Sequence, residues 1–234
     1  MSIAANLAAI HERIARAAAC AGRNPETIAL MAVSKTQAAA RILEAYDAGQ
    51  RLFGENRVQE FEGKAAALTH LPDAEFHMIG HLQSNKAGKA VEIFHAIDSL
   101  DSVKLGDRLN AAAAKRDKPT SVLIEINIGG EDAKSGIAPD APELEQILQT
   151  APAWSHLRLQ GLMTVPPFTE DPEGARAYFR KLRELRDRLA ARNLPWVKVD
   201  QLSMGMSHDF EVAIEEGSTC VRVGTAIFGT RPKP

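Results

Sequence analysis

The stretch "LMAVSKTQ", residues Leu30–Gln37, begins as an apolar run typical of a buried β-strand and ends beyond a lysine, Lys35. Side chains alternate between the two faces of a strand, so Lys35 shares a face with Met31 and Val33. One interpretation is a solvated strand end, with the lysine paired with a carboxylate such as Glu55. The other is an amine directed into a cavity, where lost hydration favours its neutral, nucleophilic form. The rest of the chain must distinguish these two interpretations.

The run around Lys35 is the first of eight short apolar or β-branched runs, and longer segments with helical periodicity lie between them. The predicted strands are Ile28–Lys35, "RLFGEN" to Asn56, "EFHMIG" to Gly80, "HAIDSL" to Leu100, "SVLIEINI" from Ser121, "LRLQGLMTV" from Leu157, "VKVDQLSMG" from Val197 and "CVRVGTAIFG" from Cys220. Eight β-then-α units with short connections favour a closed parallel barrel. We therefore predict an α/β fold, a single-domain (β/α)8 TIM barrel over residues 1–234.

The helical segments have caps and stops of their own. The predicted helices are "ARILEAYDAG", "AVEIF", "SVKLGDRLNAAAAKR" and "ARAYFRKLRELRDRLAARN". Ahead of the barrel, Ile3, Leu7, Ile10 and Ile14 recur at helical spacing and predict an extra amphipathic N-terminal helix. An open doubly wound sheet is the alternative fold. Its dinucleotide-binding form needs G-x-G-x-x-G after the first strand, where this chain has "SKTQAAA".

Composition excludes several classes of function. The formal net charge of −2 provides no broad basic surface, so neither nucleic acid nor an anionic membrane is an expected partner. No apolar run approaches the roughly 18 residues of a membrane span.

Cys20 and Cys220 are far apart and in no metal-ligand spacing, which favours a cytoplasmic protein. His77 and His81 lie on a strand and its exit, so we predict no metal site. No self-complementary apolar patch is evident, and a monomer is expected.

The carboxyl ends of barrel strands carry the candidate binding groups, because these ends meet at one mouth. Lys35 ends the first predicted strand, Asn56 ends the second, and His81 follows the third. His81 and Met163 are candidates for lining the pocket. Lys134 lies on a glycine-flanked loop after the fifth strand, and we expect either a solvated lysine or a mobile lid there.

A phosphate site is predicted after the last two strands. "QLSMGMSHD" supplies Ser203, Gly205 and Ser207 and then opens a short helix, and "RVGTAIFG" adds Gly224 and Thr225. Small residues let backbone N–H groups approach an anion, and serine hydroxyls donate to it. In barrels of this class, phosphate commonly binds at the loops after strands seven and eight. The alternative is that Ser207 or Asp209 only caps the helix.

Arg222 lies on the same face of the last strand as Cys220 and Gly224, and so points towards the mouth or the interior. A permanently charged guanidinium there needs an acceptor. Glu125 or Glu55 could supply one as an ion pair, or the acceptor could be a heterocyclic nitrogen. An amine, a phosphate cradle and an arginine donor at one mouth together predict a site for pyridoxal 5′-phosphate.

The motifs "AVSKT", "FGENRVQE", "HMIGHLQSNK", "INIGGEDAKSGI", "GLMTVPP" and "LSMGMSHDFEVAIEEGSTCVRVGTAIFG" resemble the YggS/PROSC family of pyridoxal phosphate homeostasis proteins over essentially the whole chain. The resemblance implies a fold-type III cofactor-binding barrel of the alanine racemase type. The residues it implies in cofactor binding are Lys35 for the Schiff base, Asn56 beside the ring, Ser203, Gly224 and Thr225 at the phosphate, and Arg222 at the pyridine nitrogen.

Cofactor binding does not by itself establish turnover. Racemisation needs a proton acceptor on each face of the substrate, but Tyr46 and Tyr178 fall in predicted outer helices. The chain stops shortly after Gly229, so a second domain is not expected. An arginine at the ring nitrogen weakens the ring as an electron sink, and Val165 stands where a racemase-like barrel has a stacking histidine. We therefore expect a protein that buffers pyridoxal phosphate, or delivers it to apoenzymes, with little turnover.

Two other functions remain open from the sequence. The first is an amino-acid racemase or eliminase of low activity that uses pyridoxal phosphate. The second is a Schiff-base aldolase, which needs the same lysine but no cofactor.

Overall fold

A closed barrel of eight parallel strands forms the centre of the computed structural model, which describes residues 2–131 and 135–229. The strands are β1 Ala29–Val33, β2 Leu52–Glu55, β3 Glu75–Met78, β4 Ala96–Leu100, β5 Thr120–Glu125, β6 Leu157–Met163, β7 Val197–Ser203 and β8 Cys220–Val223. They pair in chain order, and β8 closes the barrel against β1, with Met31 opposite Arg222. This topology confirms the predicted (β/α)8 barrel and excludes the open doubly wound sheet.

Helices surround the barrel and precede it. They are α1 Ile3–Cys20, α2 Ala39–Asp47, α3 Val58–Ala65, α4 Ala87–Ile93, α5 Val103–Lys115, α6 Pro142–Thr150, α7 Arg176–Ala191, α8 Phe210–Glu215 and α9 Thr225–Phe228. The predicted N-terminal helix is confirmed as α1, whose apolar face is buried and whose cap Ser2 accepts a hydrogen bond from the Ala5 N–H. In the part of the chain that the structure describes, no helix is both long enough and apolar enough to cross a membrane.

The end of the chain differs from the prediction. The apolar run "CVRVGTAIFG" predicts a strand that continues to Gly229, but β8 stops at Val223 and α9 follows. Gly224 leaves the extended conformation, and its carbonyl accepts hydrogen bonds from the N–H groups of Ile227 and Phe228. Periodicity cannot separate a strand from a single helical turn in so short an apolar run. The turn of α9 places Gly224 and Thr225 at the barrel mouth.

Alternation along β1 determines what enters the barrel. Leu30 and Ala32 join the apolar core between the strands and the helices. Met31 lines a cavity at the amino ends of the strands, and Val33 lines one at their carboxyl ends. The period of two that the sequence shows therefore continues past the strand and directs Lys35 towards the mouth.

A buried ion pair lies at the opposite end of the barrel, where the strands begin. His77 Nδ1 lies 3.2 Å from Asp98 Oδ1, and His77 Nε2 lies 3.8 Å from Glu75 Oε2. Burial alone would lower the pKa of His77, but the Asp98 and Glu75 carboxylates outweigh it and raise that pKa to about 9. His77 is therefore protonated at neutral pH, and its charge compensates a carboxylate that is nearly inaccessible to solvent.

Raising the pH should remove the stability that the His77–Asp98 ion pair contributes. The folded pKa of His77 lies above the 6.5 of an ordinary histidine, so the stabilisation is complete below pH 6.5 and is lost as pH rises through about 9. We expect the free energy of unfolding, measured by urea titration, to fall by up to about 3 kcal/mol over this range because of this pair. His77→Gln should lack this component, whereas His11→Gln, at an exposed histidine, should keep it. Equal pH dependence in all three proteins would contradict the assignment.

Candidate functional site

A cavity of about 380 Å³ opens at the carboxyl ends of the barrel strands. Its wall consists of Val33, Lys35, Gln37, Asn56, Ile79, Val165, Met206, Ser207, His208, Arg222, Gly224, Thr225 and Gly229. Six of the ten candidates named from the sequence lie on this wall: Lys35, Asn56, Ser207, Arg222, Gly224 and Thr225. A larger groove of about 660 Å³ between α4 and α5 contains no strand end. The mouth cavity is therefore the candidate site.

Lys35 reaches the cavity from a tight turn that follows β1. The Gln37 N–H donates to the Ser34 carbonyl across 3.0 Å and closes the turn. Between them, Thr36 has a φ of 64°, which is uncommon for any residue with a side chain and especially for a β-branched one. Such a conformation costs about 1–3 kcal/mol and persists only where its surroundings enforce it. The turn that carries Lys35 must therefore be held from outside.

A second lysine holds this turn. Lys64 Nζ, on α3, donates to the Ser34 carbonyl at 3.1 Å and to the Gln37 carbonyl at 3.2 Å, on either side of the strained residue. One turn earlier on α3, Glu60 accepts a hydrogen bond from the Thr36 N–H and lies 3.3 Å from Lys64 Nζ. The backbone around Lys35 is thus tied to α3 at three points.

Glu55, at the end of β2, completes the arrangement. Its carboxylate is fully buried, pairs with Lys64 at 2.8 Å and accepts a hydrogen bond from Ser34 Oγ at 2.6 Å. Burial raises the pKa of Glu55, and Lys64 and Ser34 oppose that rise. Glu55 therefore partners Lys64. We refer to Glu55, Glu60 and Lys64 together as the turn clamp.

Arg222, on β8, lines the cavity from the barrel side and is 3% exposed. Its guanidinium donates to Ser203 Oγ at 2.7 Å and to the Thr164 carbonyl at 2.6 Å. Within residues 2–131 and 135–229 it forms no ion pair, so neither Glu125 nor Glu55 is the partner considered from the sequence. Burial lowers the pKa of Arg222, but a guanidinium stays charged in proteins. These two bonds engage two of its five N–H groups, and the remaining donors are available to a ligand.

Backbone N–H groups converge on the same wall from the start of α9. Ser207 Oγ accepts hydrogen bonds from the N–H of Gly224 at 3.2 Å and of Ala226 at 3.4 Å. Ser207 therefore links the loop after β7 to the loop after β8, and it does not cap α8. The hydroxyls of Ser207 and Thr225 are donors of the kind that a phosphate group accepts from, and a phosphate bound here would replace Ser207 Oγ as the acceptor of the Gly224 N–H.

Ser203 and Gly205 lie beneath this wall. Ser203 is fully buried, and its hydroxyl orients Arg222. Gly205 has a φ of +95°, and a Cβ there would lie 2.5 Å from the Ala213 Cβ, so a glycine is required for the loop to pack on α8. The structure therefore brings Ser207 to the cavity and leaves Ser203 and Gly205 as supports.

Two further candidates lie off the wall. His81 is exposed, and its Nδ1 lies 3.0 Å from Asp101 Oδ2. Met163 is fully buried at the end of β6. Neither lines the cavity. Lys134 lies outside the described residues.

Several wall residues were not identified from the sequence as site residues. Ile79 could have been found, because it continues the period of two from His77 past the end of β3. His208 lies within the predicted "SMGMSHD" loop, and its Nε2 donates to the Glu170 carbonyl at 3.0 Å. Lys64, which does not line the cavity but binds the Lys35 turn, had only the Glu60–Lys64 spacing of a helical ion pair as a signal.

Comparison with known proteins identifies relatives of this chain in sequence and in fold. The family model for the alanine racemase N-terminal domain matches residues 5–232. Pyridoxal phosphate homeostasis proteins of Aquifex aeolicus and Pseudomonas aeruginosa are 45% and 46% identical, over 99% and 98% of this chain and 99% and 96% of their own lengths. The structure of PipY from Synechococcus elongatus PCC7942 with PLP bound is 38% identical, with a TM-score of 0.85 over 97% of this chain and 100% of that one.

Gly80 provides a test of how Asn56 is held. A Cβ at Gly80 would lie 2.4 Å from the Asn56 carbonyl oxygen and 2.9 Å from its Cα. We expect Gly80→Ala to push this backbone away from the mouth and to lower the free energy of unfolding by about 1–3 kcal/mol. Gly88→Ala is the control, because nothing lies within 4 Å of its Cβ position inside α4, and it should raise stability by about 0.5–1 kcal/mol. A neutral Gly80→Ala, measured by denaturant unfolding, would contradict the packing described.

Proposed function

We propose that this chain, which belongs to the family of pyridoxal phosphate homeostasis proteins and has the alanine racemase N-terminal barrel, binds pyridoxal 5′-phosphate in the mouth cavity. The observation that carries the proposal is the convergence of an amine, a buried guanidinium and a set of N–H and hydroxyl donors on one cavity wall. A relative of similar length with PLP bound supports the same ligand here.

The residues present fit this cofactor. The cavity of about 380 Å³ lies within the usual range for small-molecule sites. The donor set on one side suits a dianionic phosphate, and Arg222 offers N–H groups to a ring nitrogen. When bound, the cofactor supplies an aldehyde, and the Lys35 amine condenses with it reversibly with loss of one water molecule.

The six predicted residues on the wall then have the following roles. Lys35 provides the covalent attachment. Ser207, Gly224 and Thr225 hold the phosphate, and Asn56 lies beside the ring. Arg222 donates to the ring nitrogen and keeps it unprotonated, because a guanidinium does not readily release a proton.

The same wall supports binding with little turnover. Tyr46 bonds to Asp73 on the outside of the barrel, and Tyr178 is on α7, so neither lines the cavity to accept a substrate proton. Val165 lies on the wall and is more than one-third exposed, so no ring stacks on the ligand from that position. We infer a protein that holds the cofactor reversibly at a mouth open to solvent and passes it to recipient apoenzymes.

One observation favours a second candidate, a racemase or eliminase of low activity. His208 lines the cavity, and an imidazole there could accept a proton from a bound amino acid. Exchange of the α-proton into deuterated solvent, followed over a panel of amino acids, tests this candidate. Brisk exchange that His208→Gln abolishes would favour the enzyme over the carrier.

The site of attachment can be measured directly. After incubation with pyridoxal 5′-phosphate, borohydride reduction and peptide mapping should give a principal adduct on Lys35, because its amine lines the cavity. Lys64 serves as an internal control and should remain unmodified, because its ammonium is enclosed by Glu55 and two carbonyls. A principal adduct on any other lysine would falsify the assignment.

Delivery predicts a dependence on the recipient. Transfer to an apo-aminotransferase should become faster with recipient concentration and exceed the spontaneous release rate, because the mouth is open and the amine bond is reversible. Spontaneous release is measured by diluting the loaded protein into buffer that contains no recipient. Equal rates in both assays would show that the protein only stores the cofactor.

A further inference from the structure

The residues of the turn clamp have no part in the proposed contacts with the cofactor. Glu55, Glu60 and Lys64 do not line the cavity, and the Lys64 side chain is only 10% exposed. Burying a lysine against a fully buried glutamate is costly, and such a pair is weak evidence for a gain in stability. The Lys64–Glu55 pair contacts the turn that carries Lys35. The pair is therefore better explained by its effect on the conformation of that turn than by a gain in stability.

The geometry identifies what is held. The two carbonyls that Lys64 binds belong to Ser34 and Gln37, the residues that flank Lys35 and Thr36. Glu60 accepts a hydrogen bond from the N–H of Thr36, whose left-handed conformation the turn requires. Glu55 in turn neutralises Lys64 and binds Ser34. These contacts define the direction in which the Lys35 side chain leaves the backbone.

We propose that Lys64 is a positioning residue for Lys35, and that its ammonium keeps the Lys35 amine aimed at the aldehyde of a bound ligand. This inference rests on the proposed function, because it assigns Lys64 a part in attachment at the same site. The clamp acts on attachment rather than on noncovalent binding, since the phosphate is held from β7 and β8 and the clamp lies beside β1 and β2.

Two measurements separate positioning from a general structural role. The first is the rate of covalent attachment of pyridoxal 5′-phosphate, trapped by borohydride at timed intervals. The second is the affinity for 4′-deoxypyridoxine 5′-phosphate, which lacks the aldehyde and binds without attachment. We expect Lys64→Met to slow attachment by about tenfold to a hundredfold, the size of effect that a misplacement of about 1 Å produces. The affinity for the analogue should stay at the wild-type value.

Matched variants complete the test. Lys64→Arg keeps the charge and several donors, and should recover part of the attachment rate. His77→Gln breaks another buried ion pair at the far end of the barrel and should attach at the wild-type rate. If Lys64→Met does not fold, Glu60→Ala removes the acceptor of the Thr36 N–H at a partly exposed carboxylate and should also slow attachment.

Three results would overturn the proposal: a wild-type attachment rate in the folded clamp variants, equal losses of attachment and analogue affinity, or an equal slowing in His77→Gln. Failure of the proposed function itself is distinguishable, because the wild-type protein would then form no adduct on Lys35.

Discussion

The arrangement of the mouth depends on a short, strained backbone segment that charged side chains hold in place. Thr36 adopts a left-handed conformation, and the ammonium of Lys64 compensates by binding the carbonyls on both sides of it. Without that contact the turn could relax, and Lys35 could leave the cavity for solvent. Every role assigned to the other wall residues presumes an amine that stays where the barrel strands converge.

The buried cations of the barrel have two kinds of partner, carboxylates and neutral oxygen atoms. Lys64 and His77 are compensated by the carboxylates of Glu55 and Asp98, so their charges are neutralised within the chain. Arg222 is bonded to a hydroxyl and a carbonyl, which orient it without neutralising it. A buried positive charge with neutral partners attracts an acceptor from outside the chain. Arg222 therefore keeps a positive charge at the mouth that the chain's own carboxylates do not neutralise by an ion pair among the described residues.

Much of this could be predicted from the sequence, because strand alternation and helix periodicity depend on local residue spacing. The same locality explains what the sequence could not resolve. The run after Val223 is too short for periodicity to reveal the turn of α9, and the positions of Ser203 beneath the cavity wall and Ser207 on it depend on how the loop after β7 packs. Lys64 was missed because the carbonyls it binds lie 27 and 30 residues away along the chain.

A crystal structure of the protein grown with pyridoxal 5′-phosphate is the most direct test of the central claim. The account predicts continuous electron density from Lys35 Nζ to the former aldehyde carbon, with the phosphate at Ser207 and Gly224 and the Thr36 turn still bound by Lys64. A ligand attached elsewhere, or attached to Lys35 after the turn has separated from Lys64, would contradict it.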